Sequence, residues 1–416
     1  MAKSKAVSQG SQSSQKPSPA KKKPAAKAKS EPSAKPTAEE KKPPAAKKSP
    51  TKARASVPAS VAPAEAPPVV KKAKPRKSGE IPAWFQAEFP EPKEMAFLLA
   101  LLDDPLDGEH REAYADWLEE RGSPRGEFLR LQRQSETLGS DMLTGRLTQL
   151  RSTLSPVWLC VVGETLARVQ PLVEKIAQSD AGGGEPKLEL TKEWGLLDVH
   201  YAGDMTAEGL APVLRWLASR EIGPVVKRLV LDGHEDRDRP GDVLAIDLKI
   251  LIDAEPDFPH LESLEIERGP GILAVYNDAT KERGLFAKLL RKAPHLKELA
   301  IPSAPNSDFF VGPAHPLERL AVDAGADHQN MILNLSRATR FGQLRELEYQ
   351  DVCDPQADGG PARCAPVDAY EALFRSPVLA KVERLVIRSA SLSPEEIKRL
   401  RAIRKTGVKF EAADVG

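Results

Sequence analysis

Seven histidines, three cysteines and one short run of glycines are the residues from which a catalytic or metal centre could be built. Cys160, Cys353 and Cys364 form no CxxC pair and sit in no recognisable nucleophile signature. They read as idle thiols of a reducing compartment, with a Cys353–Cys364 bridge as the alternative. Gly182-Gly183-Gly184 is followed by Glu-Pro and not by Gly-Lys-Ser/Thr, so it is a flexible link and not a phosphate cradle. His260 and His295 recur as Pro-His-Leu, 35 residues apart, which argues for a turn role rather than metal binding. His200, His234, His315 and His328 lack companions at ligand spacing. Asp103-Asp104-Pro105-Leu106-Asp107-Gly108 superficially suggests a calcium loop. However, the third position from Asp103 is Pro105 and the twelfth is Tyr114, where a bidentate glutamate is needed. No Gly-x-Ser-x-Gly elbow is present. The expectation is therefore a non-catalytic chain with no cofactor and no metal; a transferase using one of the three cysteines is the enzymatic alternative.

With 416 residues the chain exceeds what a single core usually serves, so more than one structural unit is expected. The net charge of +1 conceals a division. Residues 1–78 carry 20 Lys+Arg against 4 Asp+Glu, and the remainder carries 41 against 56. Residues 1–78 are rich in Lys, Ala, Pro and Ser and contain no aromatic residue, so a disordered tail is expected. In composition it resembles linker-histone tails. Ser18-Pro19-Ala20-Lys21 and Ser49-Pro50-Thr51-Lys52 match their Ser-Pro-x-Lys pattern. The implied partner is DNA or RNA, bound unspecifically by counterion release through Lys21, Lys22, Lys23, Lys47, Lys48 and Lys52; the alternative is a solvated tether. The first residues lack the apolar stretch of a secretory signal, and no run is apolar enough to span a membrane. A cytoplasmic, monomeric protein is expected, nucleoid-associated if its tail binds DNA.

The first aromatics appear at Ile81-Pro82-Ala83-Trp84-Phe85. Residues 79–155 read as a small helical domain. A first helix, Glu94–Leu102, stops before Pro105. A second starts from Asp107 as N-cap and ends at Gly122. A third starts at Ser123-Pro124, and a fourth carries Met142, Leu143, Leu147 and Leu150. Here Ala113-Tyr114-Ala115-Asp116-Trp117-Leu118-Glu119-Glu120-Arg121-Gly122, followed by Pro124-Arg125-Gly126-Glu127-Phe128-Leu129-Arg130-Leu131-Gln132, closely resembles the bacterial repeat-companion domain over residues 94–135. That family is named for sitting beside repeat arrays and has no assigned chemistry, so the resemblance implies architecture and not activity.

Beyond residue 185 an apolar residue recurs at i, i+3 and i+5. The seven sets are Trp194/Leu197/Val199, Val226/Leu229/Leu231, Leu261/Leu264/Ile266, Leu296/Leu299/Ile301, Leu317/Leu320/Val322, Leu344/Leu347/Tyr349 and Val382/Leu385/Ile387. The spacing predicts a turn into a short strand, and helix-like stretches follow most of them: 207–219, 242–254, 281–292, 329–340, 367–375 and 394–403. The starts are separated by 32, 35, 35, 21, 27 and 38 residues, and the 21-residue unit lacks room for a full helix. The pattern resembles the leucine-rich-repeat family. It implies an α/β solenoid over 194–416, with parallel strands and outer helices, capped at its start by 156–193. Such arrays bind other proteins on the concave sheet face. By strand alternation that face displays Asp198, Arg228, Val230, Glu265, Glu298, Arg319, Ala321, Glu346, Glu348 and Val386. A merely solvated sheet face is the simpler reading of each. The function expected is a protein-interaction scaffold; the alternative is a nucleic-acid-associated protein anchored by its tail.

Overall fold

The computed structural model describes residues 80–138, 141–178, 187–203, 205, 207–233, 244–267, 272–275, 284–324, 328–351, 364–388, 392–404 and 408–411. The tail lysines Lys21, Lys22, Lys23, Lys47, Lys48 and Lys52 lie outside these, as do Cys353, His234 and the glycine run.

From residue 83 the chain builds helices: α1 (Ala83–Glu88), α2 (Pro92–Asp103), α3 (Gly108–Glu119), α4 (Pro124–Leu138), α5 (Asp141–Arg151), α6 (Pro156–Val161) and α7 (Glu164–Ala177). Their boundaries follow local chemistry. The Asp107 carboxylate accepts from the backbone N–H of Glu109 at 3.0 Å and of His110 at 3.1 Å, capping α3. Gly122 takes φ +67° where the chain must leave α3 left-handed. Gly126 lets α4 cross close to α3. A Cβ there would sit 2.8 Å from Glu119 Cγ and 2.9 Å from the Ala115 carbonyl oxygen. The short helix α1 has no apolar period long enough to announce it. Phe85 and Phe89 bury it nonetheless, at 0% and 1% exposure.

Strands then alternate with helices: β1 (Lys187–Glu193), β2 (Leu196–Gly203), α8 (Ala207–Leu217), β3 (Val226–Gly233), β4 (Leu244–Asp247), α9 (Lys249–Ile252), β5 (Ser263–Ile266), β6 (Ile272–Val275), α10 (Leu285–Lys292), β7 (Glu298–Ile301), β8 (Arg319–Asp323), α11 (Met331–Arg337), β9 (Glu346–Gln350), α12 (Val367–Arg375), β10 (Arg384–Arg388), α13 (Pro394–Ile403) and β11 (Val408–Glu411). Nine of these strands form one sheet in the order β1-β2-β3-β5-β7-β8-β9-β10-β11. β1 and β2 are antiparallel; every later neighbour pair is parallel. The fold is thus α/β with a mostly parallel sheet whose strands follow one another in chain order. β4 and β6, both in insertions, pair with each other in parallel outside that sheet.

Two expectations need correction. The stretch 242–254 is not one helix but β4 followed by the four-residue α9. Trp194 is not the first anchor of a strand. With Gly195 it makes the two-residue turn between β1 and β2, both at positive φ (54° and 77°), the pattern a right-twisted hairpin favours. Val199 and Tyr201 then pair with Leu229 and Leu231, while Leu197 pairs with Val226 across a register shift, so the two strand anchors lie two residues later than the spacing predicts.

The unit that begins at Leu296 has no α-helix. Its place is taken by a 3-10 turn, Ser307–Phe310. Phe309, Phe310 and Phe341 pack there at ring separations of 5.1, 5.2 and 6.2 Å. Arg340, 5% exposed, donates through Nη1 to the Phe309 carbonyl at 2.9 Å and the Val311 carbonyl at 3.0 Å. Burial, then the Arg291 charge, lowers its pKa. A single apolar core extends from Phe85 through the sheet to Leu400.

Candidate interaction face of the sheet

Each strand turns its anchors (Leu229 and Leu231, Leu264 and Ile266, Leu320 and Val322, Leu347 and Tyr349) into the core, all at 2% exposure or less. The intervening residues point the other way, and the strand register lines them into rows. The first row is Asp198, Arg228, Ser263, Glu298, Arg319, Glu346 and Arg384. The second is His200, Val230, Glu265, Ala300, Ala321, Glu348, Val386 and Lys409. A third begins with the Ala202–Asp232 pair and resumes as Asp323, Gln350, Arg388 and Glu411. All ten residues named by the spacing rule therefore share one face. The register adds His200, Asp232, Arg384, Arg388 and Lys409. Arg384 follows from the same rule at i+2 of the last unit. His200 does not, because the hairpin offsets the first unit.

The face is not evenly solvated. Ala300, Ala321, Glu348 and Val386 in its second row are exposed by 1%, 0%, 5% and 1%. Arg228, Glu298 and Arg384 in the first row are exposed. Nor is it uniformly acidic. Toward the β8–β10 end, Arg319 lies 3.8 Å from Glu346, and Arg384 lies 3.5 Å from Glu346. Glu348 bonds Arg384 and lies 3.5 Å from Arg388. The hydrogen bond to Glu348 is the main reason the Arg384 guanidinium is held above its ordinary pKa. These charges neutralise one another. Toward the β2–β5 end the pairing is sparser. His200 Nε2 meets Asp232 Oδ2 at 2.5 Å. Burial raises the pKa of Asp198, and its Oδ1 has no hydrogen-bond partner among the described residues. Among the described residues, Arg228 and Glu265 make no hydrogen bond or ion pair.

Just before the strands runs a second charge column, one residue after each first anchor from β3 onward: Lys227, Glu262, Lys297, Glu318, Arg345 and Glu383, with Glu193 of the hairpin beside Lys227. Its sign alternates without a break. Ion pairs link Glu193–Lys227 at 2.8 Å, Glu262–Lys297 at 3.2 Å, Glu318–Arg345 at 3.8 Å and Arg345–Glu383 at 3.4 Å. Backbone bonds of 2.7–2.8 Å join the same residues from Lys227 onward.

In the helical region, the residues of the Tyr-Ala-Asp-Trp and Pro-Arg-Gly-Glu strings make buried contacts. Tyr114 donates to Glu94 at 2.8 Å and accepts from Trp158 Nε1 at 3.0 Å. Arg125 donates to the same Glu94 oxygen at 2.7 Å. Burial raises the Tyr114 pKa far above its ordinary value. A second network runs from Arg111 through Gln132 (2.6 Å) to Glu164 (3.0 Å), which Arg151 meets at 2.5 Å. Both networks cross residue 155 and tie α2–α5 to α6 and α7. Their polar groups are engaged with one another, which is a structural use.

Nucleophile chemistry gains nothing from the cysteines described. Burial, above all, pushes the Cys160 thiol up to about 12, so it is not a thiolate at neutral pH. Cys364 is half-buried. Asp351, 3% exposed, accepts from Tyr370 at 2.7 Å, Ala365 N–H at 2.9 Å and Tyr349 at 3.2 Å, a closed structural knot. Among the described residues no group of three or more His, Cys, Asp and Glu could hold a metal ion. No described helix is long and apolar enough to cross a membrane. Compared with models of known families, with curated proteins and with solved structures, the chain matches none.

Proposed function

We propose that the chain is a non-catalytic interaction scaffold whose partner protein docks on the sheet face at its β2–β5 end. The observation that carries this is the unequal pairing of charges. Arg319, Glu346, Glu348 and Arg384 satisfy one another. Arg228 and Glu265, on adjacent strands, make no hydrogen bond or ion pair among the described residues, and Arg228 meets only the charge of Asp198 beside it. Charges held ready on a rigid sheet add selectivity and on-rate when a partner brings the complementary groups. The strand–helix alternation, with strands in chain order, supports a leucine-rich-repeat-like solenoid. The strings at 113–122 and 124–132 support a repeat-companion domain beside it. The test is quantitative affinity capture with the full chain as bait. Arg228→Ala with Glu265→Ala should release the species retained by the wild type, at a loss of about 2 kcal/mol or more. Arg319→Ala with Glu346→Ala should keep it. Equal retention by both pairs would remove the β2–β5 end as the docking site.

A second reading rests on the tail, where 20 basic residues face 4 acidic ones within residues 1–78. That balance supports sequence-independent binding of DNA or RNA through Lys21, Lys22, Lys23, Lys47, Lys48, Lys52 and their neighbours. Retention of the full chain on duplex DNA should fall steeply with salt. Acetylation of the lysines should abolish it. Binding that ignores both would leave the tail as a tether only.

A further inference from the structure

The Pro-His-Leu turns hold more than a bend in the chain. His260 and His295 sit just before the first anchors Leu261 and Leu296, and His315 sits two residues before Leu317, so three consecutive turns carry a histidine. They differ in burial: His295 is exposed, His260 is half-buried, and His315 is 6% exposed.

The element that covers His260 is α1. Its Trp84 ring lies 5.0 Å from the His260 ring at a 47° tilt, and the next residue, Phe85, meets Trp194 at 5.4 Å in the β1–β2 turn. At its other end Glu88 accepts from Ser155 Oγ, the N-cap of α6, at 2.8 Å. A six-residue helix thus straps the α6 N-terminus, the hairpin turn and the His260 turn together. So short a helix does not persist in water without the surface it packs on.

We propose that the turn histidines make this seat acid-sensitive: protonation of His260 frees α1 from the leading turns while the parallel strand ladder stays intact. The groups facing His260 are Trp84 and Glu88 from α1, Glu262 on its own turn and His295 on the next. Glu88 and Glu262 favour the imidazolium. Burial, then His295, opposes it and prevails, so His260 titrates below its ordinary value of 6.5. The sign follows. A seated His260 resists the proton that a released one takes up, so the seat is strongest at neutral pH and weakens as pH falls below 6.5. The inference stands apart from the docking reading, since it concerns turns and not the charged face.

The test is hydrogen exchange of the full chain, resolved by segment and corrected for intrinsic rates, from about pH 7.5 to about pH 5. Protection of residues 83–89 should fall several-fold, while β5, β7 and β8 keep theirs. His260→Gln should make α1 protection independent of pH over this range. His295→Gln, at an exposed site, should move the transition to higher pH by removing one charge that opposes protonation of His260. Undiminished α1 protection at the lower pH, the same pH response in His260→Gln, or simultaneous loss in α1 and the strands would each overturn the proposal. If His260→Gln does not fold, the His295→Gln shift decides alone.

Discussion

The helical region and the sheet face both depend on polar side chains, and they use them oppositely. Around Tyr114 and Glu164 the polar groups are buried or half-buried, few and mutually dependent, so removing one leaves its partners short of a hydrogen bond. Along the sheet the charges are mostly at the surface, many and repeated, and in the column before the strands each is flanked by opposite charges. Surface pairs contribute little singly. Their alternation acts instead through order, since a strand placed out of sequence would set like charges side by side. The first device fixes one joint; the second fixes a sequence of joints.

The contrast can be broken most severely at Trp158, which is unexposed and packs edge-on against Phe128 at 5.7 Å. Trp158→Ala should cost about 3–5 kcal/mol in denaturant unfolding and detach α6 from α3, read by loss of exchange protection there first. Tyr114→Phe keeps the ring and deletes only the hydroxyl. It leaves Trp158 Nε1 unpaired and should cost about 1–3 kcal/mol. A loss near zero would mean that the network is solvated.

The sheet layer has buried polar groups of its own, and one of them, His315, sharpens the comparison. His315 is held below its ordinary 6.5, chiefly by burial and then by the Arg340 charge. The unfolded chain therefore binds a proton that the folded one refuses, and stability should decline as pH falls below 6.5. His315→Gln should flatten that slope in urea melts at several pH values; an unchanged slope would assign it to other groups. The smallest effect belongs to the column before the strands. Lys297→Glu sets a third negative charge between Glu262 and Glu318 and should cost under about 1 kcal/mol at low salt. The loss should vanish near 1 M salt, where screening reaches about 3 Å. A loss that survives such salt would mean that packing, not charge, was disturbed.

Much of this was legible in the residues. The i, i+3, i+5 anchors locate seven strands of the sheet, and six of the seven sets keep their alignment in the strand register. The seventh fails because Trp194-Gly195 is a turn without the usual Asn-Gly signature, followed by a register shift at Leu197/Asp198. α1 was hidden because six residues offer too little period, and β4 and β6 because four-residue strands in insertions carry no alternation. Arg228, Glu298, Arg319 and Glu346 stand on the outer face of the sheet, where strand alternation put them. The dry second row of that face was not legible, because burial of Glu348 depends on neighbours across strands that spacing alone does not supply. The alternating column was present in the sequence throughout, one step after each anchor, and became visible once the register made those residues neighbours.

That column carries a rule of parity. Because Lys227, Glu262, Lys297, Glu318, Arg345 and Glu383 alternate in sign, excising one strand-and-return segment from the middle would join like to like. Excising two adjacent ones would leave the series unbroken. The array can be shortened or lengthened in even steps at no electrostatic penalty, and odd steps leave a seam.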